Sequence, residues 1–114
     1  MKVISSKEAA GLVRDGWTVS TSGFTGSGHP EALSAALENR FLETGHPRGL
    51  TLIYAAGQGE RKTRGTGHFG NEGMVKRVIG GHWGAAPRLG ALAIAEKVEA
   101  YNWPQGVIAH LYRA

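Results

Sequence analysis

The sequence predicts an α/β fold, an open and mainly parallel sheet flanked by helices on both faces. Segments with helical apolar spacing alternate along the chain with short β-rich runs, the pattern of successive βαβ units. The 18 glycines sit at the ends of those segments rather than in a repeating tract, so they punctuate a fold instead of forming a linker. At 114 residues and 41% hydrophobic content, the chain suits one domain with a single core.

Ser5 and Glu8 have capping-box spacing, and Ala9, Leu12 and Val13 follow at helical intervals before Asp15-Gly16, which predicts a short first helix. Trp17 to Ser22 sets Trp17, Val19 and Thr21 against Thr18, Ser20 and Ser22, a strand that runs into Gly23. Pro30 suits the first turn of a helix, where its missing N–H costs nothing. Leu33, Ala36, Leu37 and Phe41 then form an apolar stripe that should reach Thr44, with Gly45 as the stop. Leu50 to Ala55 reads as a buried strand, and Gly57 to Gly70, which lacks apolar periodicity, as a long surface loop.

A brief helix is expected from Asn71 through Lys76 and a short strand around Arg77 to Gly81. A helix from Pro87 to about Lys97 carries Leu89, Leu92 and Ala93, and Val98 to Asn102 reads as a further strand. Pro104 opens a last helix with Val107, Ile108, Leu111 and Tyr112 on one side. No capping residue or polar tail follows at Ala114, so the end reads as cut. Apolar patches left by missing packing would then favour dimerisation or aggregation.

Composition narrows the chemistry. With no cysteine, disulfides, thiolate zinc sites and a cysteine nucleophile are excluded. No apolar run has the length of a signal peptide or membrane span, which predicts a soluble, cytoplasmic protein with no membrane partner. The net charge of +4 is scattered apart from Arg61, Lys62 and Arg64 in one loop, read as a solvated surface. Dispersed aromatic residues and the lack of a basic helix argue against nucleic acid. His29, His46, His68, His82 and His110 contain no His-x-x-x-His pair, which argues against a metal site.

The most informative segment runs Asp15-Gly16-Trp17-Thr18-Val19-Ser20-Thr21-Ser22-Gly23-Phe24-Thr25-Gly26-Ser27-Gly28-His29-Pro30-Glu31. Gly23, Gly26 and Gly28 permit positive φ and close backbone approach, and the helix opening at Pro30 offers N–H groups and a partial positive charge. Together they make a cradle for an anion or carboxylate, although the same pattern also serves as an ordinary strand-to-helix connection.

This segment resembles the amino-terminal signature of the class I CoA-transferases: Asp-Gly, a strand, Gly-Gly-Phe, three residues, Gly, one residue and Pro. Ser22 stands in place of the first paired glycine, which is accommodated if its φ is negative. The resemblance continues through Phe41-Leu42-Glu43-Thr44-Gly45, Glu72-Gly73-Met74-Val75-Lys76-Arg77, Gly81-His82-Trp83, Glu99-Ala100-Tyr101-Asn102 and Pro104-Gln105-Gly106. It looks most like the branch of propionate, acetate and acetoacetate CoA-transferases, in which both halves are fused; the same pieces also occur in separate-subunit enzymes.

The resemblance implies that residues 1–114 are a partial amino-terminal CoA-transferase domain. The implied reaction moves CoA between a short-chain acyl-CoA and a small carboxylic acid through a glutamyl-CoA thioester. CoA thioesters would be substrates, with no permanently bound cofactor, and the complete enzyme a homo-oligomer. The family's catalytic glutamate lies in the carboxy-terminal half, fused or separate, so no residue here inherits a catalytic role and the chain alone should be inactive. Glu72 matches a helix start of the first half, and Glu31 a first helical turn, where a carboxylate favours the helix dipole. Gly26, Gly28 and Gln105 are the implied substrate-binding residues, Gln105 as a neutral amide that can hydrogen-bond an acyl oxygen. A non-catalytic remnant that keeps an anion- or CoA-binding turn is the alternative.

Overall fold

The computed structural model describes residues 1–114. Its elements are α1 (Ser6–Ala10), β1 (Thr18–Ser20), α2 (Glu31–Thr44), β2 (Leu50–Tyr54), a 3-10 helix (Gly65–Phe69), β3 (Val75–Gly80), α3 (Pro87–Ile94), β4 (Glu99–Asn102) and α4 (Gln105–Leu111). The strands form one sheet in the order β1-β2-β3-β4, every neighbouring pair parallel. The α/β, open parallel sheet expected from the alternation is therefore present.

Each connection steps one strand in the same direction, and right-handed crossovers then place α2, the 3-10 helix and α3 on one face. That face holds the core. Val19, Leu52 and Val78 stand in register across it, packed with Leu37 and Phe41 of α2, Phe69 and Leu89. The opposite face presents Ser20, Ile53, Ile79 and Tyr101, and only α4 crosses it, its flanking Tyr112 hydroxyl accepting from Ser20 Oγ at 3.0 Å. Burial is correspondingly unequal: β2 is buried throughout, whereas β4 is exposed along its length.

Several boundaries differ from expectation. α1 stops at Ala10 because Arg40 of α2 donates to the Ala10 and Val13 carbonyls, which ends the helix and leaves Leu12 exposed. On α2 the residues facing the core are Ser34, Leu37 and Phe41, while Leu33 turns outward; Gly45 stops the helix in the left-handed region, φ 76°. α3 ends at Ile94, three residues short of Lys97, and Glu96 adopts a positive φ. In α4 only Ile108 is buried, so Val107 and Leu111 stay in solvent.

Two segments depart more. The stretch from Gly57 to Gly70 is a surface loop only in its middle: Glu60 to Arg64 are exposed, as the solvated Arg61, Lys62 and Arg64 were expected to be, but Gly57 to Gly59 and the 3-10 helix are buried. It buries polar groups that are hydrogen-bonded, Gln58, Thr66 and His68, which leave no apolar period to read. The expected helix over Asn71 to Lys76 is instead a turn, with Gly73 at φ 90°, followed directly by β3. Glu72 therefore caps no helix; it is exposed and lies 3.5 Å from Lys97 Nζ.

Candidate functional site at the carboxyl edge of the sheet

In open parallel sheets the loops leaving the carboxyl ends of the strands form the natural ligand edge. Here that edge comprises Thr21 to His29, Ala55 to Gly59, Gly81 to Gly84, and Trp103 to Gln105. The glycine segment after β1 folds into a tight turn, Phe24 and Ser27 exchanging both backbone hydrogen bonds at 2.9 and 3.0 Å. Gly23 lies at φ 134°, where a Cβ would meet the His29 nitrogen at 2.8 Å, and Gly28 lies at φ 76°. Gly26 does not use a positive φ; Thr25 does, at 50°. Ser22 is outside the positive-φ set, so serine fits where the family has glycine.

The turn is held against the loop after β2. Thr25 N–H donates to the Gly57 carbonyl at 2.7 Å, and Gly59 N–H donates to the Thr25 carbonyl at 2.8 Å. Between them Gln58 is almost fully buried, its amide nitrogen donating to the Thr21 and Ala56 carbonyls. That orientation leaves Gln58 Oε1 facing His29 Nδ1 at 2.7 Å, so Nδ1 donates and His29 Nε2 accepts from Ser34 Oγ at 2.8 Å. A groove of about 510 Å³ opens between the ends of β1 and β2, with Thr21, Gly23, Ala56, Gln58 and Tyr112 in its walls.

Gly26 borders a separate polar cleft of about 100 Å³ shared with His29, Glu31, Glu60 and Arg64. Gln105 opens α4, exposed, and its Cγ lies where a Cβ on Gly81 would be, 2.6 Å away. It stands on the same edge as the glycine turn but lines neither cavity. The α2 opening is partly spent, since Glu31 N–H donates to the His29 carbonyl at 2.8 Å.

Beneath the edge, a charged cluster fastens the buried loop to α2. His68 sits between two carboxylates of that helix, its Nδ1 2.8 Å from Glu38 Oε1 and its Nε2 2.5 Å from Glu31 Oε1. Burial pulls the imidazole pKa down, but the hydrogen bonds and negative charges of Glu31 and Glu38 outweigh it and hold the value above 6.5. Burial likewise pushes the two carboxyls up, and is outweighed by His68 with Gly65 N–H at Glu31, and by Asn71, His68 and Arg88 at Glu38. Both carboxyls stay below 4.5. Glu31 thus does more than complement a helix dipole.

Gln58, His29 and His68, which hold this edge together, were not singled out from the sequence. The available signal was a Gly-Gln-Gly directly after a buried strand, where a polar side chain must find partners.

The profile of the Coenzyme A transferase family matches residues 3–114, nearly the whole chain. The chain belongs to that family. A caffeate CoA-transferase of Acetobacterium woodii is 41% identical over 112 residues, covering 98% of this chain and 21% of that protein. The acetate CoA-transferase subunit alpha of Escherichia coli K12 is 35% identical over 112 residues, 98% of this chain and 48% of the subunit. Among solved structures, the acyl-CoA transferase YdiF of Escherichia coli O157:H7, described as a thioester complex with CoA, superposes with a TM-score of 0.89 at 38% identity. That superposition covers 91% of this chain and 20% of YdiF. The chain therefore spans about a fifth of the length of the first of these relatives (21%) and about half (48%) of the second. As in the family resemblance read from the motifs, the CoA-transferase match extends over the turn after β1, the β2 and β3 loops and the Pro104-Gln105-Gly106 connection.

Proposed function

We propose that these residues form one side of an acyl-CoA:carboxylate CoA-transferase active site. The reaction moves CoA between a short-chain acyl-CoA and a carboxylic acid by way of a glutamyl-CoA thioester. The observation that carries this reading is the unbroken family match over residues 3–114, joined to a carboxyl edge built from the glycine turn. Gly26 and Gly28 shape the turn against which the acyl group lies, and the Gln105 amide donates to an acyl oxygen.

The nucleophilic glutamate comes from polypeptide outside these 114 residues, fused or as a separate subunit, so the chain alone performs no turnover. The complete enzyme is a cytoplasmic homo-oligomer that takes CoA thioesters as substrates. The test is transfer of CoA from acetyl-CoA to propionate by the purified chain, freed of contaminating enzyme. No turnover is expected, and turnover at enzymatic rates would overturn the assignment of the glutamate elsewhere. Tight CoA binding without turnover, in a polypeptide whose mass in its source cells is 12.1 kDa, would favour a non-catalytic binding module instead.

A further inference from the structure

We infer that His82 contacts the acid substrate, its imidazole hydrogen-bonding the carboxylate between the glycine turn and Gln105. This rests on the proposed acyl site and adds a residue to it. His82 leaves the carboxyl end of β3 exposed, and its ring makes no hydrogen bond, unlike His29, His46 and His68, whose rings are all engaged.

An exposed, unpaired side chain would ordinarily wander, yet this ring lies in a space kept clear by glycine. A Cβ on Gly57 would come within 2.4 Å of His82 Cδ2, and one on Gly84 within 3.1 Å of Nε2. Gly57 is the residue whose carbonyl anchors Thr25 of the glycine turn. On the other side His82 follows Gly81, against which Gln105 packs. The ring therefore lies over the loop that anchors the turn bearing Gly26 and Gly28, one residue along the chain from the glycine against which Gln105 packs.

The chemistry fits a carboxylate. One acid oxygen can accept from the Gln105 amide, and the second can take a side-chain donor in addition to any backbone N–H of the glycine turn. A ring N–H supplies that donor, and a protonated ring adds the opposite charge. His82 is a contact for orientation; no covalent step passes through it.

The test follows the histidine Cε1–H resonances and the Gln105 side-chain amide of the full 114-residue chain by NMR during titration with sodium propionate, against matched sodium chloride. The His82 signal is identified by its loss in His82→Phe, which fills the same space without nitrogen. The His82 and Gln105 signals should move together and saturate, while His46, tied away from this edge to Asp15, which also accepts from Arg48 N–H, stays still. His82→Phe should weaken propionate binding about tenfold, the scale of one hydrogen bond to a charged group. Movement of Gln105 and the turn without His82 would overturn the His82 contact and leave the acyl-site reading standing. Silence at every one of these groups would overturn both. The wild-type His82 signal decides the matter even where the variant fails to fold.

Discussion

Replacing His68 with leucine should unfasten the loop between β2 and β3 from α2. The side chain is one-tenth exposed (11%) and bonds to Glu31 and Glu38, whose side chains are 32% and 12% exposed. Two charge-assisted hydrogen bonds at about 1.5–3 kcal/mol each set the upper scale. Breaking a buried ion pair costs about 3–5 kcal/mol when the surviving charge is stranded. Glu38 is not wholly stranded, keeping Asn71 at 2.7 Å and Arg88 at 3.2 Å, and Glu31 keeps Gly65 N–H at 3.0 Å. Those survivors place the expected loss near the low end, about 3 kcal/mol, or on the order of 15 °C in Tm for a domain of this size.

Urea titration near pH 6 reads the loss directly, and its pH dependence reads the mechanism. The folded His68 pKa lies above 6.5, so its contribution is complete below 6.5 and disappears as pH rises through the folded value. Glu31 and Glu38 lie below 4.5, so theirs is complete above 4.5 and disappears as pH falls through the folded values. The stability gap between the native chain and His68→Leu should be widest between 4.5 and 6.5 and narrow on both sides. A gap below about 1 kcal/mol, or one flat across pH, would refute the ion-pair account.

Two further substitutions probe the packing around the edge. Tyr54 carries a fully buried hydroxyl with no hydrogen-bond partner, so Tyr54→Phe should leave stability unchanged or raise it by about 1 kcal/mol; a clear drop in Tm would mean that the hydroxyl has a partner. A Cβ on Gly81 would fall 2.1 Å from the Ala55 carbonyl oxygen and 2.6 Å from Gln105 Cγ. Gly81→Ala should therefore cost about 1–3 kcal/mol in urea unfolding and shift the Gln105 side-chain amide resonance; an unshifted amide would show that Gln105 does not rest there.

The sequence made the fold class legible because β2 and the stripe of α2 follow simple rules. Leu50 to Tyr54 is an apolar run of strand length interrupted only by Thr51, and Leu37 and Phe41 recur at helical spacing before a left-handed Gly45. The motif order from Asp15 to Gln105 made the family legible as well, since several spaced matches constrain more than any single glycine pattern. The same rules failed over Gly57 to Lys76. There the buried side chains ahead of Phe69 are polar, Gln58, Thr66 and His68, and Asn71, which read as a helix start, spends its side chain on Glu38 and Arg88.

By itself, the sequence determined an α/β domain, its family and the glycine positions, because apolar periodicity and backbone requirements are local. Only the tertiary structure decided that three connecting elements share one face while α4 alone crosses the other, a consequence of parallel strands added in sequential order. It also decided the partners of the polar groups: Gln58 with His29, His68 with Glu31 and Glu38, and the His82 ring over Gly57. Such pairings join residues about thirty positions apart (29 for His29 and Gln58, 30 for Glu38 and His68), and a hydrogen bond made through space leaves no period along the chain.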